Sequence, residues 1–392
     1  MSELDKIFEK YIKEEGLGQI YTGDNEHVRR IYQDFNDAIL FQLEEKPKLP
    51  RPSLYVTSLS SDFSAFVFRE QGNYFIGISI GAIESLFNFF QFLYSQPYFD
   101  TGFGDSSKET ETLLDLSLKP DYFLDYFYNY DLAVKPKCPI RNSYSYQLFY
   151  KAINYLLLHE YAHITHGHLD YLARGKKNFL YYENDTIRPV NADKEKALEY
   201  DADAAASVYS IFESTGHLLF GGAMLNEHNL NIEIKKSNLA VYFLHKLTEL
   251  TDIELEDYAH KTHPISDLRT SNHGAMIQTF LHERLAGEQF DMASVEVFGP
   301  SVITEIAMPG YARLFNKEIL DDRLLFFHSK QGLPYINAVR QGWNEVRDEL
   351  EKHSYVKLAP NDELLEDRGL FDYMEILNKK RDNYVDRGSE IQ

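Results

Sequence analysis

The pattern HEYAH, His159 to His163, concentrates more potential chemistry than any other stretch of this sequence. Histidines at i and i+4 share one helix face, so both imidazoles can reach a single ion. Glu160 stands about 100° round the helix from His159. From there it can touch a metal-bound water without being a ligand, as the glutamate base of a zinc hydrolase does. Two packed, hydrogen-bonded histidines in a core helix would give the same five residues. The apolar lead-in of Tyr155, Leu156, Leu157 and Leu158 suits either reading.

A third ligand has to come from elsewhere in the chain. A metzincin site needs Gly at position 166 and His at 169, and this chain has His166 and Leu169, which excludes that class. EYDAD, Glu199 to Asp203, places two carboxylates on one helix face among alanines, where burial without a cation is costly. Glu199 is then the expected third ligand. Asp203, one turn on, is expected to accept a hydrogen bond from the distal nitrogen of a liganding histidine. A solvated acidic helix start explains Glu199 but leaves Asp203 without a role. In THPISDLR, residues 262–269, His263 precedes a helix-starting proline and could donate to the oxyanion formed at a peptide carbonyl. Arg269 could tie that helix to an acidic partner, with a capped helix and a surface arginine as the plainer alternative. The single cysteine, Cys138, removes zinc sites built from several thiolates and any intramolecular disulfide; a deformylase-type site would need it as a ligand, and its setting in KPKCPI does not fit that role. The other histidines outside these patterns, including His166 and His273, read as surface or packed residues.

Taken together, HEYAH with His168, then EYDAD, then THPISDLR resembles the gluzincin family of CAAX prenyl protease and HtpX-like zinc peptidases, in its soluble, minimal form. SAFVF, the following hairpin and the helix at 82–95 are similar to that family's strand, strand, helix lead-in, and the resemblance covers roughly residues 50–290. It implies one zinc ion on His159, His163 and Glu199, Glu160 as base, Asp203 behind the ligands and His263 near the transition state. On the short motif alone the chain is also similar to the Lit-type phage-exclusion peptidases. The reading that follows is a zinc-dependent endopeptidase acting on protein or peptide substrates. The alternative is a partner-binding or regulatory protein with a structural or vestigial zinc site, docking through the aromatic, acidic stretch at 121–131.

These residues need helices and a small sheet to position them. Apolar spacing predicts helices over 3–15 and 25–45, ended by the prolines of KPKLPRP. Short strands follow at 54–58 and 64–80, the second span as a hairpin turning at EQGN. Ser64, Ala65 and Phe66 are the expected edge for an extended substrate. Further helices are expected over 82–95, 146–170, 197–212, 237–250 (with Ser237 as N-cap), 251–260 and 264–285. DTGFGDSSKETE (100–111) reads as a mobile loop within an insertion at 100–146, and 171–195 reads as a loop. The expected fold is α+β: a mainly helical zincin core at 51–290 with a small antiparallel sheet, flanked by a helical extension at 1–50 and a mainly helical region at 291–392.

Composition limits the partners. The 392 residues carry 61 acidic and 40 basic side chains, a net charge of -21, which repels phosphate backbones and argues against nucleic acid. No apolar run reaches the ~20 residues of a membrane span, and the charged first residues are unlike a secretory signal. One cysteine fits a reducing compartment, so a cytoplasmic location is expected. Tyr 28 and Phe 27 against Trp 1 is an unusual aromatic surplus. The sequence assigns neither a particular substrate nor an oligomeric state.

Overall fold

The computed structural model describes residues 1–59, 63–116, 121–127, 134–173, 179–182, 192–220, 226–249, 261–285, 298–316, 329–330 and 332–365. Its class is α+β, mostly helical around a small sheet, as the patterning predicts. Helix α1 (Glu3–Glu14) starts from a reciprocal cap between Ser2 and Asp5, and α2 (Glu26–Glu45) from Asn25, whose side-chain carbonyl oxygen accepts the His27 and Val28 amides.

The sheet consists of β1 (Ser53–Thr57), β2 (Ala65–Glu70), β3 (Asn73–Ser79) and β4 (Phe179–Tyr182), in the order β1-β3-β2-β4. Gln71 and Gly72 both take positive φ, 51° and 82°, which gives the tight hairpin between β2 and β3 its twist. The sheet is mixed rather than wholly antiparallel. The hairpin makes β2 and β3 antiparallel, and β1 pairs with the returning strand β3, so those two run parallel. A second difference is β4, which falls in a stretch expected to be loop. It pairs with β2 from Phe66 to Arg69, so the edge assigned to substrate is already taken by the chain at Phe66.

Helix α3 (Ile80–Tyr94) follows β3 directly, capped by Ser79. The central helix α4 spans Pro139–Thr165, with Pro139 in its first turn, and so begins seven residues before the expected Tyr146. It is surrounded by α2, α3, the sheet, α6 (Ala192–Phe220) and α7 (Glu227–Leu247). Helix α5 (His168–Ala173) turns back from its end, and α8 (Ser266–Leu285) packs on α6 and α7. Ser237 is not an N-cap: Asn226 caps α7, and the Ser237 hydroxyl instead meets His273 Nε2 at 3.1 Å. The helix expected over 251–260 lies outside the described residues.

The stretch expected as a mobile loop is pinned. Arg141, fully buried, donates to the carbonyl oxygens of Tyr94, Gln96, Phe99, Asp100 and Phe103. Glu109 accepts the amides of Lys137 and Cys138, each at 2.9 Å. Sequence patterning does not reveal this clamp, because an arginine in a helix reads as surface. In the aromatic stretch, Phe123, Leu124, Tyr126 and Phe127 are buried, with Phe127 against Phe89 and Phe92. These four side chains of the alternative docking face are therefore core, while Asp121 is exposed and Tyr122 and Asp125 are half-buried; residues 128–131 lie outside the described residues.

Both flanks pack on the middle of the chain. Phe8 stacks on Tyr55 at 4.1 Å and Tyr11 on Phe68 at 3.9 Å, so α1 covers one face of the sheet. The helix Leu333–Leu350 lies on α6 through Trp343, Val346 and Leu350, which cluster with Ala197 and Leu198. A Cβ on its Gly342 would come within 2.4 Å of the Asp193 carbonyl oxygen, so the two helices meet backbone to backbone. Beyond it, the Tyr355 amide and the Ser354 hydroxyl both donate to the Thr165 carbonyl at the end of α4. Among the described residues, no helix is long and apolar enough to cross a membrane.

Candidate metal centre

The buried second half of α4 meets the first half of α6, and three side chains converge there. His159 Nε2 and His163 Nε2 lie 3.1 Å apart. Glu199 Oε2 is 3.1 Å from His159 Nε2, and Glu199 Oε1 is 3.5 Å from His163 Nε2. All three residues are fully buried. The alanines of α6 allow this approach, because Ala202 and Ala206 carry no bulk toward α4.

The protons on the outer nitrogens set what the inner ones can do. His159 Nδ1 lies 3.0 Å from Asp203 Oδ1, a carboxylate that only accepts, and this ion-pair contact favours the tautomer with the ring proton on Nδ1 and a lone pair on Nε2. His163 is arranged less directly. Asp201 Oδ2 lies 3.1 Å from His168 Nε2 and accepts that ring's N–H, leaving His168 Nδ1 as an acceptor. His163 Nδ1, 2.9 Å from it, then donates, and His163 Nε2 is left with a lone pair as well. Two lone pairs at 3.1 Å repel unless a cation lies between them. Glu199 Oε1 is buried with no hydrogen bond to offset its desolvation. Two imidazole nitrogens and one carboxylate are a donor set that fits a zinc-type divalent ion.

Electrostatics follow the same pattern. Burial raises the Glu199 carboxyl, but the histidines facing it, His263 first, more than reverse this and hold the group below the usual carboxylate range. Burial pushes His163 well below an ordinary imidazole, so it is neutral, as a ligand must be. Burial also raises Asp203, and Arg269 and His159 more than reverse it. The Arg269 guanidinium grips Asp203 with two bonds, Nε to Oδ2 at 2.7 Å and Nη2 to Oδ1 at 2.9 Å, and is itself buried. It is a buried partner of the acidic helix and not a surface arginine.

Glu160 is buried beside His159 and is not one of the three converging groups. His263 Nε2 lies 3.1 Å from Glu199 Oε2, and its Nδ1 lies 3.1 Å from Thr262 Oγ1. The structure therefore gathers His159, His163, Glu199, Asp203, His263 and Arg269 in one buried network. It also adds residues that the motifs do not mark. Tyr155 donates to Asp203 Oδ1 at 3.2 Å, and His245 Nε2 approaches the same oxygen at 3.8 Å. Asp201 lies inside EYDAD, and the HGH run at 166–168 is the signal for its partners. His273 is packed, between Ser207 and Ser237.

Residues 135–286 match the family model described as Peptidase U49, which is less than half of the chain. The match runs from α4 through α8, contains every residue of the cluster and supports a peptidase family. No curated protein and no solved structure matches.

Proposed function

We propose that this chain is a zinc-dependent peptidase of gluzincin type. One ion is held by His159, His163 and Glu199, and Glu160 is the general base. The observation that carries this reading is the convergence of two lone-pair nitrogens and a carboxylate, His159 being oriented by Asp203 directly and His163 by Asp201 through His168. The peptidase family match over the same residues supports the reaction class. Bound there, zinc supplies the Lewis acidity that makes water nucleophilic near neutral pH.

The chain's own residues do the rest. Glu160 removes the proton from the attacking water and passes it to the leaving amine. Asp203, fixed by Arg269 and Tyr155, keeps His159 in the tautomer that offers Nε2. His263 stands beside Glu199, where its ring N–H can donate to the carbonyl oxygen of a bound peptide as negative charge develops. The buried walls of α4 and α6 exclude competing water.

The test compares two variants for zinc content and peptide cleavage. Glu160→Gln is expected to keep zinc while hydrolysis falls by about 10²–10⁴-fold. Glu199→Ala is expected to lose both the tightly bound zinc and activity. Full activity in Glu160→Gln would overturn the mechanism.

A further inference from the structure

We propose that His166, His168 and Asp201 form a second divalent-metal site, and that its occupation opposes that of the first. Three donor atoms from three residues meet there. His166 Nδ1 lies 2.6 Å and His168 Nε2 3.1 Å from the same oxygen, Asp201 Oδ2, and all three donors fall within 4.8 Å of one another. Two imidazoles and a carboxylate are again the chemistry of Zn²⁺, Co²⁺ or Ni²⁺.

The backbone fixes the geometry of this cluster. His166 ends α4, His168 opens α5, and Gly167 between them takes φ +79°, the turn that sets both rings toward Asp201. A Cβ on Gly167 would meet the His353 carbonyl carbon at 2.5 Å, so the turn is wedged under the C-terminal segment and admits only glycine. Access also differs from that of the first cluster. The His166 side chain is 13% exposed, whereas His159, His163 and Glu199 are fully buried. An ion at the second cluster can keep waters and exchange with solvent.

The opposition follows from one hydrogen bond. Between His163 Nδ1 and His168 Nδ1, 2.9 Å apart, there is room for a single proton. While Asp201 accepts the His168 Nε2 proton, the shared proton belongs to His163, and His163 Nε2 is open to the first ion. A metal on His168 Nε2 requires that ring's proton on Nδ1. The shared proton is then that of His168, and neutral His163 must carry its own on Nε2, where the first ion binds. Each ring keeps one proton throughout; only the positions change. This opposition rests on the reading of the first cluster given above, whereas the second site itself does not.

The experiment is a Co²⁺ titration of the metal-free full chain, followed by equilibrium dialysis and visible absorption. Wild type is expected to show two binding steps, the second weaker and releasing one proton, because both sites fill together only if the His163–His168 pair gives up a proton. His166→Ala is expected to keep the first and lack the second, the retained step showing that the variant is folded. Glu199→Ala is expected to lack the first and to bind at the second about tenfold more tightly or better, for want of a competitor. A single step in wild type that His166→Ala leaves intact, or a second step that survives His166→Ala, overturns the site. Unchanged second-step affinity in Glu199→Ala overturns the opposition. Should Glu199→Ala remove no step while His166→Ala removes one, the second site stands and the proposed function fails.

Discussion

Asp203 shows how much of this centre depends on single side chains. One buried carboxylate faces His159, Arg269, Tyr155 and His245, and its charge is tolerated only because the guanidinium sits on it. Arg269→Met should cost about 3–5 kcal/mol, the penalty for stranding a buried charge, read as a lowered urea midpoint with unchanged slope. A second residue-scale expectation concerns acid. Burial lowers His273 from 6.5 to about 3. The folded state thus refuses a proton that the unfolded chain accepts. The stabilisation is complete above the unfolded value and is lost as pH falls below it. Between pH 7 and pH 5, His273 alone should remove about 2 kcal/mol of stability, and His273→Gln should flatten that part of the profile in urea titrations. His159 and His163 are legible in the sequence because i, i+4 spacing states a shared face. Asp201 is not, because its partner reaches it through a chain reversal that spacing along α6 does not encode.

The elements are legible where one face is apolar and where capping residues mark the ends, as in α1, α2 and α3. They are less so where pairing is non-local. Nothing within Phe179–Tyr182 announces that it will lie beside β2, and the parallel pairing of β1 with β3 follows from sheet order, not from strand pattern. Ser237 misleads because a helix-capping residue type is used inside a helix to hold His273. The junction of α4 and α5 belongs to this scale too. Gly167→Ala forces both a left-handed φ and a backbone clash, so it should destabilise the protein by about 1–3 kcal/mol or more, read as a lower thermal midpoint. Because His168, which holds His163, follows it, the same variant should also weaken zinc binding at the proposed centre in dialysis.

At the scale of the whole molecule, the aromatic surplus is largely structural. It fills the stack of α1 on the sheet and the cluster of Phe89, Phe92, Phe99, Phe127 and Phe243. The flanks are the least legible part. Apolar spacing points to helices in both flanks, but not to Leu333–Leu350 resting on the helix carrying Glu199. A chain stopped after residue 330 should accordingly lose zinc affinity in dialysis, although every proposed ligand remains. The bonds from Ser354 and Tyr355 to Thr165 also bear on timing. A ribosome delivers α4 and α6 first and their fastening last. At about 5–20 residues per second, the stretch from Arg269 to Leu358 takes roughly 5–20 s to emerge. Until then α4 lacks the contact that closes its end, so a peptidase built this way is expected to finish its own synthesis before its centre is firm enough to cut its neighbours.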